Sequence, residues 1–253
     1  MDARILITND DGAHSEGIDL LAALAGRHCD DVWVVAPDSE RSGASHSVSL
    51  ADPLRVRQLG PKKFSVRGSP TDCVVLGVKH LCKDRRPTVI LSGVNRGANI
   101  ADDVLYSGTV AAAREGAQFG IPSIAFSQIF ARGQAVPWHT AERHGADLLP
   151  RLLELCRAGD MLLNVNFPPL EPNAVRGLAV TRQGKRTHQE IAVQERIDNR
   201  GFPYYWLNFE HQVVNPEPGT DLAAIAEGLI SITPLQLDMT DHPAVGRIAD
   251  ALA

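Results

Sequence analysis

Two adjacent carboxylates, Asp10 and Asp11, follow a short apolar run, Ile5-Leu6-Ile7, and precede Gly12. A β-branched apolar run that gives way to polar residues and glycine is typical of a buried strand. Adjacent carboxylates repel each other unless a cation or shared protons compensate their charge. Because their ligand atoms are all oxygens, they favour a hard cation, Mg²⁺ or Mn²⁺, over zinc. An Asx turn in which Asp10 or Asp11 caps the loop is the alternative.

A polar loop, residues 38–49, follows the second predicted strand, Val32-Trp33-Val34-Val35. Small, glycine-containing loops of this kind let the backbone approach a ligand closely. The hydroxyls of such a loop are suited to completing the shell of a hard metal ion or to donating to phosphate. His46 is a candidate base or phosphate donor. A solvated surface loop without a binding role is the alternative.

Two further polar segments come later in the chain. Ser92-Gly93-Val94-Asn95-Arg96-Gly97-Ala98-Asn99 follows a third predicted strand, Val89-Ile90-Leu91, and an asparagine in it offers a neutral carbonyl oxygen that adds no charge to a metal site. Ser107-Gly108-Thr109 opens an Ala-rich predicted helix. Free backbone N–H groups and the helix dipole favour an anion such as phosphate at that position. A plain N-cap is compatible with the same residues.

These segments belong to one predicted edge, because ligands of open parallel sheets bind beyond the carboxyl ends of the strands. Carboxylates, an amide, hydroxyls and a helix start at one edge suit metal-assisted transfer of a phosphoryl group to water. The sequence contains neither G-x-x-x-x-G-K-[ST] nor G-x-G-x-x-G. The phosphate-binding loops of nucleoside triphosphatases and of dinucleotide-binding folds are therefore absent from this sequence.

The chain resembles the SurE family, the survival-protein nucleotidases, in several multi-residue blocks that occur in the family's order. The blocks are dense over about the first 127 residues. One departure is Ala98, where the family often has proline. The matching blocks are Ile5-Leu6-Ile7-Thr8-Asn9-Asp10-Asp11-Gly12, Val34-Val35-Ala36-Pro37-Asp38, Arg41-Ser42-Gly43-Ala44-Ser45, Gly68-Ser69-Pro70-Thr71-Asp72-Cys73, Ser92-Gly93-Val94-Asn95-Arg96-Gly97-Ala98-Asn99 and Tyr106-Ser107-Gly108-Thr109-Val110-Ala111-Ala112-Ala113-Arg114-Glu115-Gly116.

The resemblance implies a metal-dependent phosphatase for nucleoside 5′- and 3′-monophosphates, with short-chain polyphosphate as a further substrate. It implies one divalent cation per subunit, Mg²⁺ or Mn²⁺, and a homodimer or homotetramer that exchanges β arms and C-terminal segments. Carried over by position, Asp10 and Asp11 are the catalytic residues. The implied metal ligands are Asp10, Asp11, Ser42 and Asn95, and the implied phosphate pocket comprises Asn9, Asn99, Ser107, Gly108 and Thr109.

Two mechanisms remain open for such a site. In the first, the ion held by Asp10 and Asp11 positions water for in-line attack on phosphorus. One of these carboxylates, or His46, then assists as the base. In another, an aspartate attacks directly and gives a phospho-enzyme.

The elements that must position these residues alternate between strand and helix. Such alternation predicts right-handed βαβ crossovers and a Rossmann-like, mostly parallel sheet flanked by helices, hence an α/β fold. Further strands are expected at 121–126, 162–165 and 229–233. The expected helices lie at 18–25, 69–83, 107–118, 140–156 and 220–227, with a last one from Ala244.

A long β arm is predicted at about 178–214, where no helix pattern fits. An arm of this kind does not bury both faces alone, so we expect it to pack on a second subunit. A long hairpin folded on its own core is the alternative. We expect a single α/β domain over 1–253, with the arm and the C-terminal segment, about 215–253, in oligomer contacts.

Composition limits the remaining classes of function. The 253 residues include 44% hydrophobic and 22% charged residues, which excludes wholesale disorder. A net charge of −5 argues against a protein that grips a nucleic-acid polymer. No apolar stretch has the length of a signal peptide or a membrane span, so we expect a cytoplasmic protein without a membrane partner. The four cysteines form no C-x-x-C pair, which predicts buried, reduced thiols.

Rival functions share parts of this pattern. Receiver-type signalling domains also have paired aspartates after strand one, but they need a phospho-accepting aspartate after strand three, where Asn95 stands here. Haloacid-dehalogenase-type phosphatases need Asp-x-Asp rather than Asn9-Asp10-Asp11. The runner-up hypothesis is a non-catalytic nucleotide- or Mg-binding regulatory module. Metal-dependent release of phosphate distinguishes this module from an enzyme.

Overall fold

The protein is a mostly parallel nine-stranded sheet between two layers of helices, with a separate two-stranded antiparallel ribbon. Its structure is a computed structural model that describes residues 3–131, 133–186, 188–212 and 215–253. The predicted Rossmann-like α/β fold with a hairpin arm is confirmed.

The element boundaries are close to the predicted ones in most of the chain. None of the helices in the described ranges is long and apolar enough to cross a membrane. The strands are β1 (Ile5–Thr8), β2 (Val32–Pro37), β3 (Arg55–Gly60), β4 (Lys63–Arg67), β5 (Val89–Arg96), β6 (Ser123–Gln128), β7 (Leu162–Phe167), β8 (Leu178–Val180), β9 (His188–Ile197), β10 (Pro203–Gln212) and β11 (Ile230–Pro234). The helices are α1 (Glu16–Gly26), α2 (Pro70–Leu76), α3 (Gly108–Gln118), α4 (Trp138–Cys156), α5 (Asp221–Ala226) and α6 (His242–Leu252).

The sheet has the strand order β3-β4-β2-β1-β5-β6-β7-β11-β8. Strands β4, β2, β1, β5, β6 and β7 run parallel. Strand β3 is antiparallel to β4, and β11 is antiparallel to β7. The carboxyl ends of β1, β2 and β5 therefore meet at one edge, as the predicted site requires.

Alternation along β1 divides the core between the two helical layers. Ile5 and Ile7 belong to the cluster that includes Leu149 of α4, whereas Leu6 belongs to the cluster that includes Val74 of α2. Successive side chains of a strand point to opposite faces, so a fully apolar run serves a sheet covered on both sides. This burial fixes the position at which β1 ends and the paired aspartates begin.

Helix α2 begins with the capping box that the sequence predicts. The Ser69 hydroxyl accepts a hydrogen bond from the Asp72 amide, and the Asp72 carboxylate accepts one from the Ser69 amide. The α-helix is shorter than predicted, because a π-helical turn at Gly77–Leu81 replaces its last turn. The π turn lies where Leu6 packs against Gly77. A Cβ added at Gly77 would lie only 2.8 Å from Leu6 Cδ2.

The predicted arm is wrong at its beginning. Strand β8 pairs with β11 and completes the edge of the main sheet, so it does not belong to the arm. The ribbon itself consists of β9 and β10, which pair only with each other in the described part of the chain. Residues 187, 213 and 214 of the predicted span lie outside the described residues.

Strands β3 and β4 form a hairpin that the sequence does not reveal. The first four residues of β3 are exposed, and the strand carries two arginines and a glutamine. An apolar face with a two-residue period is therefore missing from β3, although such a face is the usual signal for a strand.

A charge network holds the amino ends of the strands together. Asp31, just before β2, accepts hydrogen bonds from Arg4 Nε at 2.7 Å, Arg85 Nη2 at 2.5 Å and Trp33 Nε1 at 2.9 Å, and it pairs with Lys62 at 2.7 Å. Burial raises the pKa of this carboxyl, but the hydrogen bonds from Lys62, Arg4 and Trp33 outweigh burial and hold the pKa below its usual range.

We expect Asp31→Asn to lower the free energy of unfolding by about 2 kcal/mol at pH 7, since it leaves three cations without their shared anion. The lowered pKa means that the carboxylate stabilises the fold above pH about 4 and loses this effect as the pH falls further. The difference between variant and wild type in urea denaturation should therefore shrink towards pH 3. The exposed neighbour change Asp30→Asn is the control, and an equal loss in both variants would contradict the network's role.

Candidate functional site

The turn after β1 is tied down by Asn9 rather than by an aspartate. Asn9 Oδ1 accepts a hydrogen bond from the Gly12 amide at 3.1 Å, and Asn9 Nδ2 donates to the Gly12 carbonyl at 3.0 Å and to Ser15 Oγ at 2.7 Å. The Asx-type turn that was the alternative for the aspartates is thus supplied by Asn9. Because Asn9 is engaged in the turn, the carboxylates of Asp10 and Asp11 are free for other partners.

Asp10 lies buried against the first turn of α3. Its Oδ1 accepts a hydrogen bond from the Thr109 hydroxyl at 2.5 Å, and a Cβ on Gly108 would lie 2.8 Å from Asp10 Cβ. Burial raises the pKa of Asp10 to about 6, the Thr109 hydroxyl opposes this shift, and the charge of Asp11 adds to it. The carboxylate therefore stands at the helix start with much of its charge uncompensated.

Replacing Thr109 by valine should remove the hydroxyl contact without changing the shape of the side chain much. We expect Thr109→Val to lower the phosphoryl transfer predicted for this edge about tenfold or more, since a hydrogen bond to a charged group is worth about 1.5–3 kcal/mol. Thr109→Ser keeps the hydroxyl and should restore most of the activity. Steady-state kinetics of both variants checks this, and equal activity in both would show that the hydroxyl has no role.

Asp11 lies at the mouth of the site, on the other side of the turn. Its Oδ2 accepts a hydrogen bond from the Arg96 amide at 2.9 Å. Burial raises the pKa of Asp11, and the nearby carboxylate of Glu40 raises it further. Glu40 is a third acidic group of the site that sequence reasoning missed, although its place two residues before Ser42 was a signal.

The end of β5 brings Asn95 to the same edge. Asn95 is buried, and its Nδ2 donates to the Gly97 carbonyl at 3.2 Å. Its Oδ1 receives no hydrogen bond from the residues that the structure describes. An amide held by its nitrogen with its oxygen unused is suited to a cation or to a donor from a ligand.

Asn99 lies deeper in the same loop and is mainly an anchor. Its Nδ2 donates to Ser127 Oγ at 2.8 Å, and its backbone groups bind the side chains of Asn164 and Asn166. These contacts attach the loop after β5 to the ends of β6 and β7. Asn99 Oδ1 has no donor among the described residues. The predicted place of Asn99 in the phosphate pocket stays a prediction.

Helix α3 begins at the centre of the site, as predicted. Ser107 is the N-cap, and its hydroxyl accepts a hydrogen bond from the Val110 amide at 3.0 Å. Gly108 allows the helix to approach Asp10, because a Cβ there would collide with both Asp10 and Pro70. The first turn of α3 therefore lies against the carboxylate of Asp10, at a helix N-terminus, which favours an anion.

The loop after β2 reaches the site through its backbone. The Arg41 amide donates to the Asp10 carbonyl at 2.7 Å. Ser42 is exposed, and its hydroxyl donates to Glu40 at 2.9 Å. His46 lies apart from the aspartates in its described contacts, since its Nε2 lies 2.9 Å from Glu115 of α3. The structure thus brings Ser42 near the edge and gives His46 a partner of its own.

A cavity of about 630 Å³ opens beside Asp11 and was not predicted. Asp11, Glu40 and Arg96 line its polar side, and Val136 and Trp138 line its apolar side. Trp138 opens α4, more than a hundred residues away from Asp11 in sequence. A cavity with an aromatic wall and a carboxylate at its mouth suits a base or sugar attached to a phosphate.

The residues present fit a divalent cation by their chemistry. Neither Asp10 nor Asp11 forms a salt bridge with a basic side chain in the described ranges, and both carboxyls have raised pKa values. The unused amide oxygen of Asn95 adds a neutral ligand. No group of three or more His, Cys, Asp or Glu side chains among the described residues could hold a metal ion. The predicted ligand set contains only two such side chains, the carboxylates of Asp10 and Asp11, and is completed by one hydroxyl and one amide.

Comparison with known proteins matches the sequence of this chain to a family. The sequence profile described as "Survival protein SurE" matches residues 5–190, which include Asp10, Asp11, Asn95 and the start of α3. The chain belongs to the SurE family. The resemblance predicted from the sequence blocks is thereby confirmed.

Full-length relatives of the SurE family support the same assignment. A protein of Methylobacterium sp. (strain 4-46) named "5'-nucleotidase SurE" is 53% identical over 251 residues, covering 98% of this chain and 99% of its own length. A protein of the same name from Parvibaculum lavamentivorans is also 53% identical, covering 98% of this chain and 91% of its own. The crystal structure of the SurE protein from Aquifex aeolicus superposes with a TM-score of 0.82 at 37% identity, covering 99% of this chain and 100% of that chain.

Proposed function

We propose that the protein is a metal-dependent 5′/3′-nucleotidase that hydrolyses nucleoside monophosphates to nucleoside and phosphate. The observation that carries the proposal is the buried carboxylate of Asp10 held by Thr109 at the start of α3. The names of the full-length relatives support the nucleotidase activity. Short-chain polyphosphate is a further proposed substrate, because it offers the same terminal phosphate.

Each side chain of the edge then has a task. The side chains of Asp10, Asp11, Ser42 and Asn95 would hold one Mg²⁺ or Mn²⁺, which when bound neutralises phosphate charge and lowers the pKa of a water. The N–H groups of Gly108 and Thr109 bind the phosphate oxygens, and Asn99 lines the same pocket. Water oxygen bonds to phosphorus, the P–O ester bond breaks, and the leaving alcohol takes a proton.

The base that removes the proton from the attacking water is proposed among the carboxylates. Asp10 and Asp11 lie at the helix start, whereas the described partner of His46 is Glu115. We therefore favour one of the two aspartates over His46 as the base.

The cavity beside Trp138 would receive the nucleoside, and Trp138→Ala should raise KM for AMP about tenfold through the loss of stacking.

The first experiment is phosphate release from AMP, GMP and their 3′ isomers, with EDTA and then with Mn²⁺ or Mg²⁺. Release that EDTA abolishes and the metal restores is the expected result. Release that EDTA leaves unchanged would contradict the metal site. Folded protein that releases no phosphate with any metal would instead favour the non-catalytic nucleotide- or Mg-binding module.

We also propose a homodimer or homotetramer formed by the ribbon and α6. The ribbon exposes large apolar side chains, among them Trp206 at 55% and Leu207 at 66%. Helix α6 buries none of its residues and exposes Val245, Ile248 and Leu252. Light scattering should give the mass of a dimer or tetramer, and Trp206→Asp should reduce that mass. A monomer in the wild type would contradict the proposal.

The proposed compartment is the cytoplasm. All four cysteines, Cys29, Cys73, Cys82 and Cys156, are free and buried. Burial raises the pKa of the thiols of Cys73, Cys82 and Cys156, which keeps them protonated. Free thiols suit a reducing compartment.

A further inference from the structure

A second cavity, of about 500 Å³, lies next to the catalytic edge and is rich in arginine. Arg41, Arg55 and Arg67 line it, and Asp52 is the one acidic residue of its lining. We call this cavity the arginine groove. The chain as a whole has a net charge of −5, so three guanidinium groups in one groove depart from its average. A local excess of positive charge favours an anionic ligand.

Two of these arginines are placed directly opposite each other. Arg55 of β3 and Arg67 of β4 are register partners in the antiparallel hairpin, and both are exposed. Like charges at directly opposite positions destabilise a strand pair. Among the residues that the structure describes, neither arginine forms a salt bridge with an acidic side chain. An anion between them would turn this repulsion into attraction.

Arg41 connects the groove with the catalytic edge. Its backbone amide binds the Asp10 carbonyl at 2.7 Å, while its side chain lines the groove. Its Nε is buried without a hydrogen-bond partner among the residues that the structure describes, and its Nη2 forms an ion pair with Asp38 at 3.8 Å. A buried donor without a partner is costly and is usually satisfied by a ligand or water.

Two further contacts fix the direction of the groove. Ser69 also lines it, and the next residue, Pro70, lies beside Gly108 at the start of α3. On the other side of the loop, Glu40 lines the cavity that contains Trp138. The phosphate-binding edge therefore lies between two cavities, one with an aromatic wall and one with arginines.

We propose that the arginine groove binds a second phosphate group of the substrate, so that phosphomonoesters carrying two phosphates are preferred over monophosphates. This proposal rests on the proposed nucleotidase function. The reaction is unchanged: water attacks the phosphorus at the α3 start, and the phosphate in the groove keeps its ester bond. Guanidinium groups bind phosphate through paired N–H donors, which suits Arg55 and Arg67 on either side of one anion.

The kinetic test compares adenosine 3′,5′-bisphosphate with AMP. In the wild type, kcat/KM should be higher for the bisphosphate, and the excess should decrease with added NaCl because salt screens the contacts. In the double variant Arg55→Gln/Arg67→Gln, the ratio of the two kcat/KM values should fall about tenfold or more, through KM. Arg57→Gln is the matched control, since Arg57 is an exposed arginine of β3 outside the groove lining.

Tripolyphosphate is the second test substrate, because an inorganic polyphosphate chain also carries a second phosphate group. A loss of turnover confined to adenosine 3′,5′-bisphosphate in the double variant assigns the groove to nucleotides with two phosphates. A loss confined to tripolyphosphate assigns it to the inorganic chain. The first result supports the proposal, whereas the second overturns its preference for phosphomonoesters that carry two phosphates.

Binding is measured independently of turnover, so that failure of the nucleotidase activity does not leave the groove untested. Pyrophosphate in EDTA should raise the melting temperature of the wild type and of Arg57→Gln, but not of the double variant. Equal stabilisation of all three proteins would overturn the proposal. So would equal loss of AMP and bisphosphate turnover in the double variant, or a wild type that does not prefer the bisphosphate.

Discussion

Asp11→Asn is expected to lower kcat/KM for AMP by about a thousandfold, because a metal ion supplies several kcal/mol of charge stabilisation in the transition state. The variant should also bind Mn²⁺ more weakly. The fold should survive, since an asparagine oxygen still accepts the hydrogen bond from the Arg96 amide. Phosphate release at saturating Mn²⁺ and titration calorimetry with Mn²⁺ alone measure the two effects.

The control for this variant is Asp147→Asn, which makes the same change at an exposed position of α4. It should leave both activity and metal affinity unchanged. Retained activity together with unchanged Mn²⁺ affinity in Asp11→Asn would remove Asp11 from the metal site. Lost activity with unchanged affinity would instead point to Asp11 as the base or the nucleophile.

Gly17→Ala is expected to give a large loss of stability. A Cβ at Gly17 would lie 1.9 Å from the carbonyl oxygen of Val94 and 3.1 Å from Trp138. A backbone carbonyl cannot rotate away as a side chain does, so α1 must shift from β5. We expect a loss of about 3 kcal/mol in the free energy of unfolding. This corresponds to a decrease of about 10 °C in the melting temperature.

The matched control lies at the other end of the same helix. A Cβ at Gly26 has no heavy atom within 4 Å, and the φ of Gly26 is not positive. Gly26→Ala should therefore leave stability unchanged or raise it by about 0.5 kcal/mol, through the lower entropy of the unfolded chain. Equal melting temperatures for the two variants would show that α1 is free to move from Val94. Because Val94 precedes Asn95, a proposed metal ligand, Gly17→Ala should also lower the affinity for Mn²⁺.

The parts of the fold that carry their own local signal could be predicted from the sequence. Strand β1 and the first three residues of β5 are short apolar runs covered on both faces, and such runs are recognisable in the sequence. The cap of α2 is likewise encoded by Ser69 and Asp72 within four residues. The positions of Asp10, Asp11, Asn95 and the α3 start follow, because the carboxyl ends of parallel strands share one edge.

The remaining parts depend on partners that are distant in sequence. The place of β8 at the edge of the main sheet is recognised only through its pairing with β11, some fifty residues later. The hairpin of β3 and β4 has an exposed, arginine-bearing strand without an apolar period. The cavity beside Asp11 needs Trp138, and the partner of His46 is on α3. The local spacing of residue types does not indicate any of these contacts.

Strand direction separates two groups of side chains in this molecule. Arg4, Asp31 and Arg85 precede the strands they join, whereas Asp11 follows β1 and Asn95 lies near the carboxyl end of β5. The two groups therefore lie at opposite ends of the sheet and share no contact in the described residues. Laboratory evolution can consequently treat them as separate modules. Changes in the loops at the carboxyl end should alter substrate choice, while changes at the amino end should adjust heat tolerance, with little trade-off between the two.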